Sequence, residues 1–275
     1  MAGRINAMHS KDRLGDIETD CRNRLHRWLL RIVGVSNEIR ALLLKHKASG
    51  RRVAHLRRAI FVVHRPHREE KMSRLKIYGI PMSRAFRVLW MANELELDYE
   101  NVPIHFADSS SKTPEYLAIN PNGKIPAIED GGLKLWESMA INLYLAKKHD
   151  KGLWLNSPET EAQATQWSVW VMAEVEKAAL AVLLNRFFLP EDQRDPKVAA
   201  DGERQLQRPL KVLDEALANT GYLIGSSFTV TDLNVASVLS WAKMGHMDLS
   251  AYPHVDKWLT EALRRPAAMK ASGRT

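Results

Sequence analysis

The most informative part of the chain is NPNGKIPAIEDGGLKLWES, residues 120–138. Two apolar runs within it, residues 125–128 and 133–136, flank Asp130-Gly131-Gly132, and Asp-Gly or Gly-Gly pairs between apolar runs are strong hairpin signals. A helix is expected directly after Glu137-Ser138, because apolar residues recur at positions 139, 141, 143 and 145. The segment therefore predicts a proline-containing loop and a hairpin that lead into the start of a helix.

This predicted arrangement suits a small ligand that carries carboxylates. The start of a helix has free backbone N–H groups and the positive end of the helix dipole, and both favour an anion. A proline ahead of a strand can hold a cis peptide bond and turn its neighbour's backbone outward, which predicts such a role for Pro126.

Residues 120–138 resemble the glutathione-site segment of cytosolic glutathione S-transferases. The resemblance extends over about residues 73–265, with several motifs in the same order. The spacing Tyr78…Ser83…Arg87 resembles the theta-like and bacterial serine-type members. The resemblance implies a fold of the α/β plus all-α class, in which a thioredoxin-like domain with a mixed four-stranded sheet precedes an all-helical domain.

Local patterns predict the same order for the first domain, residues 72–149. We expect a strand over 75–79, a helix with Ser83 as its N-cap, and a strand over 99–104 that Pro103 places at a sheet edge. A helix start at Thr113-Pro114, the hairpin and a helix ending near residue 149 complete a β-α-β-α-β-β-α unit.

The second predicted domain, residues 158–270, contains almost no strand signals. Helices are expected over 161–189, 195–218, 233–242 and 252–264, and Pro209 is expected to kink or interrupt the second of these. Thr229 and Asp232 form a capping-box pattern ahead of the third, which is apolar nearly all round and should be the buried central helix.

The basic character of the chain is confined to its beginning. The net charge is +8 over 275 residues, but residues 1–71 hold 17 of the 40 Lys and Arg residues and 7 of the 32 Asp and Glu residues. That segment carries a net charge of +10, which leaves −2 for the remainder. The only cysteine, Cys21, also lies there, which fits a reducing compartment such as the cytoplasm.

We interpret residues 1–71 as an N-terminal extension, either disordered or the product of a start site placed upstream of Met72. A targeting peptide fits less well, because Asp12, Asp16, Glu18 and Asp20 are acidic. An arm that binds nucleic acid is a further reading that rests on composition alone.

Ser83 is the predicted catalytic residue. The thiol of glutathione must ionise before it attacks an electrophile, and a hydroxyl at a helix start can donate a hydrogen bond to the thiolate. The competing reading makes Ser83 only an N-cap. Tyr78 is the alternative donor, but its place inside the strand favours packing. Arg84 neighbours the site, and we expect its guanidinium to be solvated.

The resemblance implies that glutathione binds through Lys124, Ile125, Pro126, Glu137 and Ser138. Ser138 would hold the γ-glutamyl carboxylate and Glu137 the ammonium group. The backbone of Ile125 would pair with the cysteinyl part, with Pro126 cis. Lys124 would meet the glycyl carboxylate.

The competing readings of these positions are simpler. Glu137 and Ser138 would be an ordinary pair at a helix N-cap, and Lys124 a solvated loop residue. Lys112 is a weaker candidate for the glycyl end.

A hydrophobic electrophile would lie against apolar side chains of the helical half. The available side chains, none of them assigned to a site, are Trp167, Trp170, Phe187, Phe188, Trp241 and Met244. The histidines of the main body show no ligand spacing, so we expect no metal. No run of about 18 apolar residues predicts a membrane span.

The leading hypothesis is an enzyme, a cytoplasmic, homodimeric glutathione transferase that uses glutathione as co-substrate for detoxification. Peroxide reduction or isomerisation by the same thiolate remains open. The alternatives are a non-catalytic interaction module with the same fold and, resting only on residues 1–71, a nucleic-acid binder.

Overall fold

The structure is a computed structural model and describes residues 74–273. The interpretation of residues 1–71 as an extension, and of Met72 as a start site, lies outside the described residues.

The first half of the described chain is a four-stranded sheet with three helices. Its elements are β1 (Leu75–Tyr78), α1 (Ala85–Glu94), β2 (Tyr99–Val102), a 3₁₀ turn (Ser109–Lys112), α2 (Pro114–Leu117), β3 (Ala127–Asp130), β4 (Leu133–Trp136) and α3 (Ser138–His149). The strand order is β2-β1-β3-β4, in which β1 pairs parallel to β2 and antiparallel to β3. The predicted mixed sheet and its order of elements are confirmed, as is the edge position of β2.

The second half is helical throughout its regular structure. Its elements are α4 (Pro158–Trp170), a π segment (Val171–Val175), α5 (Glu176–Leu183), a second π segment (Leu184–Phe188), a 3₁₀ turn (Glu191–Gln193), α6 (Pro196–Leu217), α7 (Val230–Met244), α8 (Pro253–Leu263) and α9 (Pro266–Ala271). The predicted fold class, a thioredoxin-like unit followed by a helical unit, is therefore confirmed. No helix within residues 74–273 is long and apolar enough to cross a membrane.

Two expectations about helices were wrong in detail, and one short helix was missed. The single helix expected over 161–189 contains two π segments, which no apolar period reveals. Pro209 does not interrupt α6, because its ring is buried and packing offsets the backbone hydrogen bond that it removes. The short helix α9 was not predicted.

Helix α7 is the centre of the core, and nearly every side chain from Val230 to Ala242 is buried. The predicted capping box is present. The carboxylate of Asp232 accepts from the backbone N–H of Thr229 at 2.9 Å and, beyond the box, from the N–H of Leu223 at 3.1 Å and from the indole of Trp258 at 3.1 Å. One buried carboxylate thus joins α7, the loop before it and α8.

We expect Asp232→Ala in the full chain to lower the free energy of unfolding by about 3 kcal/mol, because several buried donors lose their acceptor together. Urea denaturation followed by circular dichroism measures this. The matched control is Ser157→Ala, which removes the more exposed capping box of α4 and should cost about 1 kcal/mol. Equal losses in the two variants would contradict the role given to Asp232.

Candidate functional site

All six predicted site residues line one cavity between the sheet-containing half and the helical half. They are Ser83, Lys124, Ile125, Pro126, Glu137 and Ser138. The cavity volume is about 740 Å³, in the range expected for a small-molecule site. The structure therefore brings these residues together, while the role of each one stays a prediction.

Ser83 lies in the turn between β1 and α1. Its hydroxyl donates to the carbonyl of Ile80 at 2.7 Å and accepts from the backbone N–H of Ala85 at 3.1 Å. The helix begins one residue later than expected, at Ala85, with Arg84 at the N-cap position, so the N-cap assignment of Ser83 was wrong. Its oxygen still satisfies one N–H of the first turn, and its side chain is partly exposed to the cavity.

Tyr78 is a packing residue, as its place in β1 predicts. Its side chain is buried against Tyr116, and its hydroxyl donates to the carboxylate of Glu129. Burial raises the pKa of the Tyr78 hydroxyl far above its usual value, and the hydrogen bond to Glu129 raises it further. Such a hydroxyl is already engaged and is a poor candidate for a thiolate partner.

Polar side chains hold the loop before β3 through hydrogen bonds to its backbone. The carbonyl oxygen of Lys124 accepts from Asn120 Nδ2 at 2.6 Å and from the hydroxyl of Tyr116 at 2.7 Å. The Ile125-Pro126 peptide bond is cis, which confirms that expectation. Both Ile125 and Pro126 are buried, whereas the Lys124 side chain is exposed.

Lys112, the weaker candidate for the glycyl end, also lines the cavity. Its ammonium group donates to the carbonyl of Gly123 at 2.8 Å. A Cβ at Gly123 would stand only 2.7 Å from that nitrogen, and the backbone there has φ +55°. Glycine at position 123 thus allows Lys112 to support the loop from the side.

Glu137 and Ser138 join β4 to α3. Glu137 has φ 72° and ψ 112°, a left-handed backbone that costs about 1–3 kcal/mol for a residue with a side chain. Ser138 is the first residue of α3 and is only 4% exposed. This corner points the N-terminal end of α3 at the cavity, where free N–H groups and the helix dipole favour a carboxylate.

Behind Ser138 lies a partly buried ion cluster that the sequence analysis missed. Glu176 Oε1 accepts from Arg84 Nε at 2.5 Å and from Arg87 Nη2 at 3.4 Å. Arg87 Nη1 also lies 3.4 Å from Ser138 Oγ. The expectation of a solvated Arg84 was wrong, because its guanidinium is paired across the cavity with a residue of the helical half.

Part of the wall formed by the helical half is a stripe of five residues spaced four apart. They are Met172, Glu176, Leu180, Leu184 and Phe188. In a regular α-helix a step of four residues overshoots one turn by about 40°, so the stripe would drift away from the cavity. A π turn takes about one residue more than an α turn, and the two π segments correct this drift.

The cavity has a polar end and an apolar end. Arg84, Glu137, Ser138 and Glu176 line the polar end, with Met172 and Trp241 beside them, and Leu180, Leu184 and Phe188 follow toward the other end along the same helical run. Phe188, Trp241 and Met244 are lining residues among the candidates considered earlier, whereas Trp167, Trp170 and Phe187 are not. Phe106, which the sequence analysis missed, contacts Phe188 with ring centroids 6.2 Å apart.

Comparison with known proteins identifies two matching family models. The model described as "Glutathione S-transferase, N-terminal domain" matches residues 73–147, and "Glutathione S-transferase, C-terminal domain" matches residues 172–266. Among similar curated proteins, "Glutathione S-transferase 1" of Zea mays is 35% identical over 209 residues, covering 73% of this chain and 97% of that protein. "Glutathione S-transferase" of Hyoscyamus muticus is 35% identical, covering 72% and 97%.

Solved structures with similar folds lead to the same family. A glutathione S-transferase-I bound with lactoylglutathione has a TM-score of 0.67 and 32% identity, covering 73% of this chain and 99% of that one. A theta class glutathione S-transferase from Xanthomonas axonopodis pv. citri, with glutathione bound, has a TM-score of 0.68 and 30% identity, covering 73% and 98%.

The strained backbone at Glu137 has a measurable consequence. We expect Glu137→Gly in the full chain to raise the free energy of unfolding by up to about 1 kcal/mol, because glycine adopts φ 72° without strain, although its greater chain entropy offsets part of the gain. Urea denaturation measures it. The control is Asp150→Gly, at φ 32° after α3 and outside the cavity lining, which should also stabilise but leave ligand binding unchanged. Clear destabilisation by Glu137→Gly would contradict the assignment of strain.

Proposed function

The chain belongs to the glutathione S-transferase family, and we propose that it is a glutathione transferase in which Ser83 stabilises the thiolate of glutathione for attack on an electrophile. The observation that carries this proposal is the convergence of Ser83, the Ile125-Pro126 loop and the start of α3 on one cavity. The thiol proton passes to water, and the sulfur then forms a bond to the electrophilic atom. In a substitution a leaving group departs from that atom with its electron pair, and in an addition the electron pair of a π bond moves to a neighbouring atom, which takes a proton from water.

The energetic requirement is modest. A free thiol has a pKa near ~8.5, and lowering it by ~2 units requires about 2.7 kcal/mol of preferential stabilisation of the anion. A hydrogen bond to a charged group supplies roughly 1.5–3 kcal/mol. One well-placed hydroxyl is therefore about sufficient.

Ser83 can supply that hydrogen bond by a rotation of its hydroxyl. In the ligand-free protein the hydroxyl proton points to the carbonyl of Ile80, while the oxygen accepts from the N–H of Ala85. Rotation about the Cβ–Oγ bond redirects the proton to the sulfur and leaves the Ala85 contact in place. That N–H then polarises the hydroxyl and makes it a better donor.

We propose that the γ-glutamyl carboxylate binds at the start of α3, where the Ser138 hydroxyl and backbone N–H groups donate to it. Arg87 occupies one lone pair of Ser138 Oγ, which leaves the Ser138 proton available for the ligand. Glu137 would accept from the ammonium group, Ile125 would pair through its backbone, and Lys124 would meet the glycyl carboxylate.

The apolar end of the cavity is the proposed place of a hydrophobic electrophile, which suits a detoxification role. We propose that residues 72–149 bind glutathione, that residues 158–270 supply the electrophile wall, and that the enzyme is a theta-like, serine-type member. A cytoplasmic homodimer is part of the same proposal. The similarity to the theta class structure from Xanthomonas axonopodis pv. citri supports the subtype.

We expect Ser83→Ala to raise the pKa of the thiol of bound glutathione by about 1–2 units, because the thiolate loses a charge-assisted hydrogen bond. Thiolate absorbance in the ultraviolet, recorded against pH with the full chain, measures it. The matched control is Tyr78→Phe, which removes the competing hydroxyl and should leave the thiol pKa unchanged. A shift in the tyrosine variant alone would transfer the role to Tyr78.

We expect Ser138→Ala to weaken glutathione binding about 10-fold or more, because the carboxylate loses a donor, without moving the thiol pKa. Calorimetric titration gives the Kd. The control is Ser240→Ala, a buried serine that lines the helical side of the same cavity and should leave the Kd unchanged. Equal affinities of the Ser138 variant and the wild type would refute the proposed subsite.

A further inference from the structure

Three charged side chains form a compact cluster at the polar end of the cavity. Arg84 directly follows Ser83 and is 40% exposed, whereas Arg87 is 1% exposed. Both guanidinium groups share Oε1 of Glu176, and both lie over the ring of Trp241, at 5.1 and 4.7 Å from its centroid. Two cations thus share a single anion.

The three side chains of the cluster carry a net charge of +1 at neutral pH. Burial lowers the pKa of Arg87 to about 10, with Glu176 opposing that effect, and at this value the guanidinium stays protonated. Glu176 comes from the helical half, whereas Arg84 is the N-cap of α1 and Arg87 lies in its first turn. The charge of the glutathione side is therefore set in part by the half that faces the electrophile.

Other charged groups also face this cavity. Lys112 lines it beside the Gly123 carbonyl, Lys124 lies in the loop before β3, and Glu137 lies at the corner before α3. Together with the cluster, these groups place four cationic and two anionic side chains around the cavity, which is an excess of two positive charges. Glutathione with an ionised thiol has a net charge of −2, which complements this excess.

We propose that the net positive charge of the Arg84–Glu176–Arg87 cluster stabilises the thiolate of bound glutathione, and that Glu176 limits this stabilisation. The inference rests on the proposed function, since it assigns an electrostatic contribution to the same site. Ser83 then acts as the direct hydrogen-bond donor, and Arg84, Arg87 and Glu176 act at longer range.

The physical basis is the low dielectric of a partly closed cavity. Coulomb interactions between groups several ångströms apart are much larger there than in water, and the electron-rich face of Trp241 keeps the two cations in place without neutralising them. Glu176 has two opposing effects, because it orients both arginines and also cancels one of their charges.

A charge-matched variant set separates these effects. Relative to a cluster charge of +1 in the wild type, Arg84→Gln gives 0, Glu176→Gln gives +2, and the double variant restores +1. The measurement is the pKa of the thiol of bound glutathione, from thiolate absorbance against pH with the full chain.

We expect Arg84→Gln to raise the thiol pKa by about 0.5–1 unit and Glu176→Gln to lower it by a similar amount. The double variant should return close to the wild-type value. A purely structural role predicts a different result, in which both single variants shift the pKa in the same direction and the double variant shifts it further. That result would overturn the proposal.

Two further results keep the test decisive. If Glu176→Gln does not fold, Arg84→Lys takes its place, because it keeps the charge and should keep the thiol pKa where Arg84→Gln does not. Equal thiol pKa values in Arg84→Lys and Arg84→Gln would also overturn the proposal. Failure of the wild type to bind glutathione would refute the proposed function instead, so the two failures are distinguishable.

Discussion

The ion pair between the guanidinium of Arg87 and the carboxylate of Glu176 is the interaction on which the junction of the two halves depends. A fully buried charge is tolerated only when it is paired, and its partner Glu176 comes from the opposite half of the described chain. The same guanidinium reaches Ser138 at the start of α3, and the backbone carbonyl of Arg87 accepts from Asn142 at 3.2 Å. Helices α1 and α3 and the helical half are therefore held in one relative placement, and the cavity lies where they meet.

The cavity wall also depends on a departure from regular helix geometry. Two π segments keep side chains spaced four apart on one line, from Met172 at the polar end to Phe188 at the apolar end. Such segments are frequent at functional sites, because they change the direction of side chains without ending the helix. In this chain they make one long helical run serve both ends of the cavity.

Much of the fold could be predicted from the sequence, because many of its features depend on residues that are close together in the chain. The hairpin at Gly131-Gly132, the capping box of α7 and the cis bond before Pro126 are of this kind, and so is the meeting of the loop with α3. The pairing of Arg84 with Glu176 could not be predicted, since 92 residues separate them and either side chain alone indicates only solvent exposure. The π segments escaped for another reason, since apolar periodicity does not distinguish an inserted residue from an ordinary helix.

The most direct test of the central claim is a count of the protons released when glutathione binds to the full chain at pH 7. Calorimetric titration in buffers of different ionisation enthalpy gives this number. A thiol pKa lowered by about 2 units predicts a release of about 0.7 proton per molecule bound, because the free thiol is almost fully protonated at this pH. Binding without proton release would show that the protein holds glutathione as a thiol, and it would contradict activation by Ser83 and the charge cluster together.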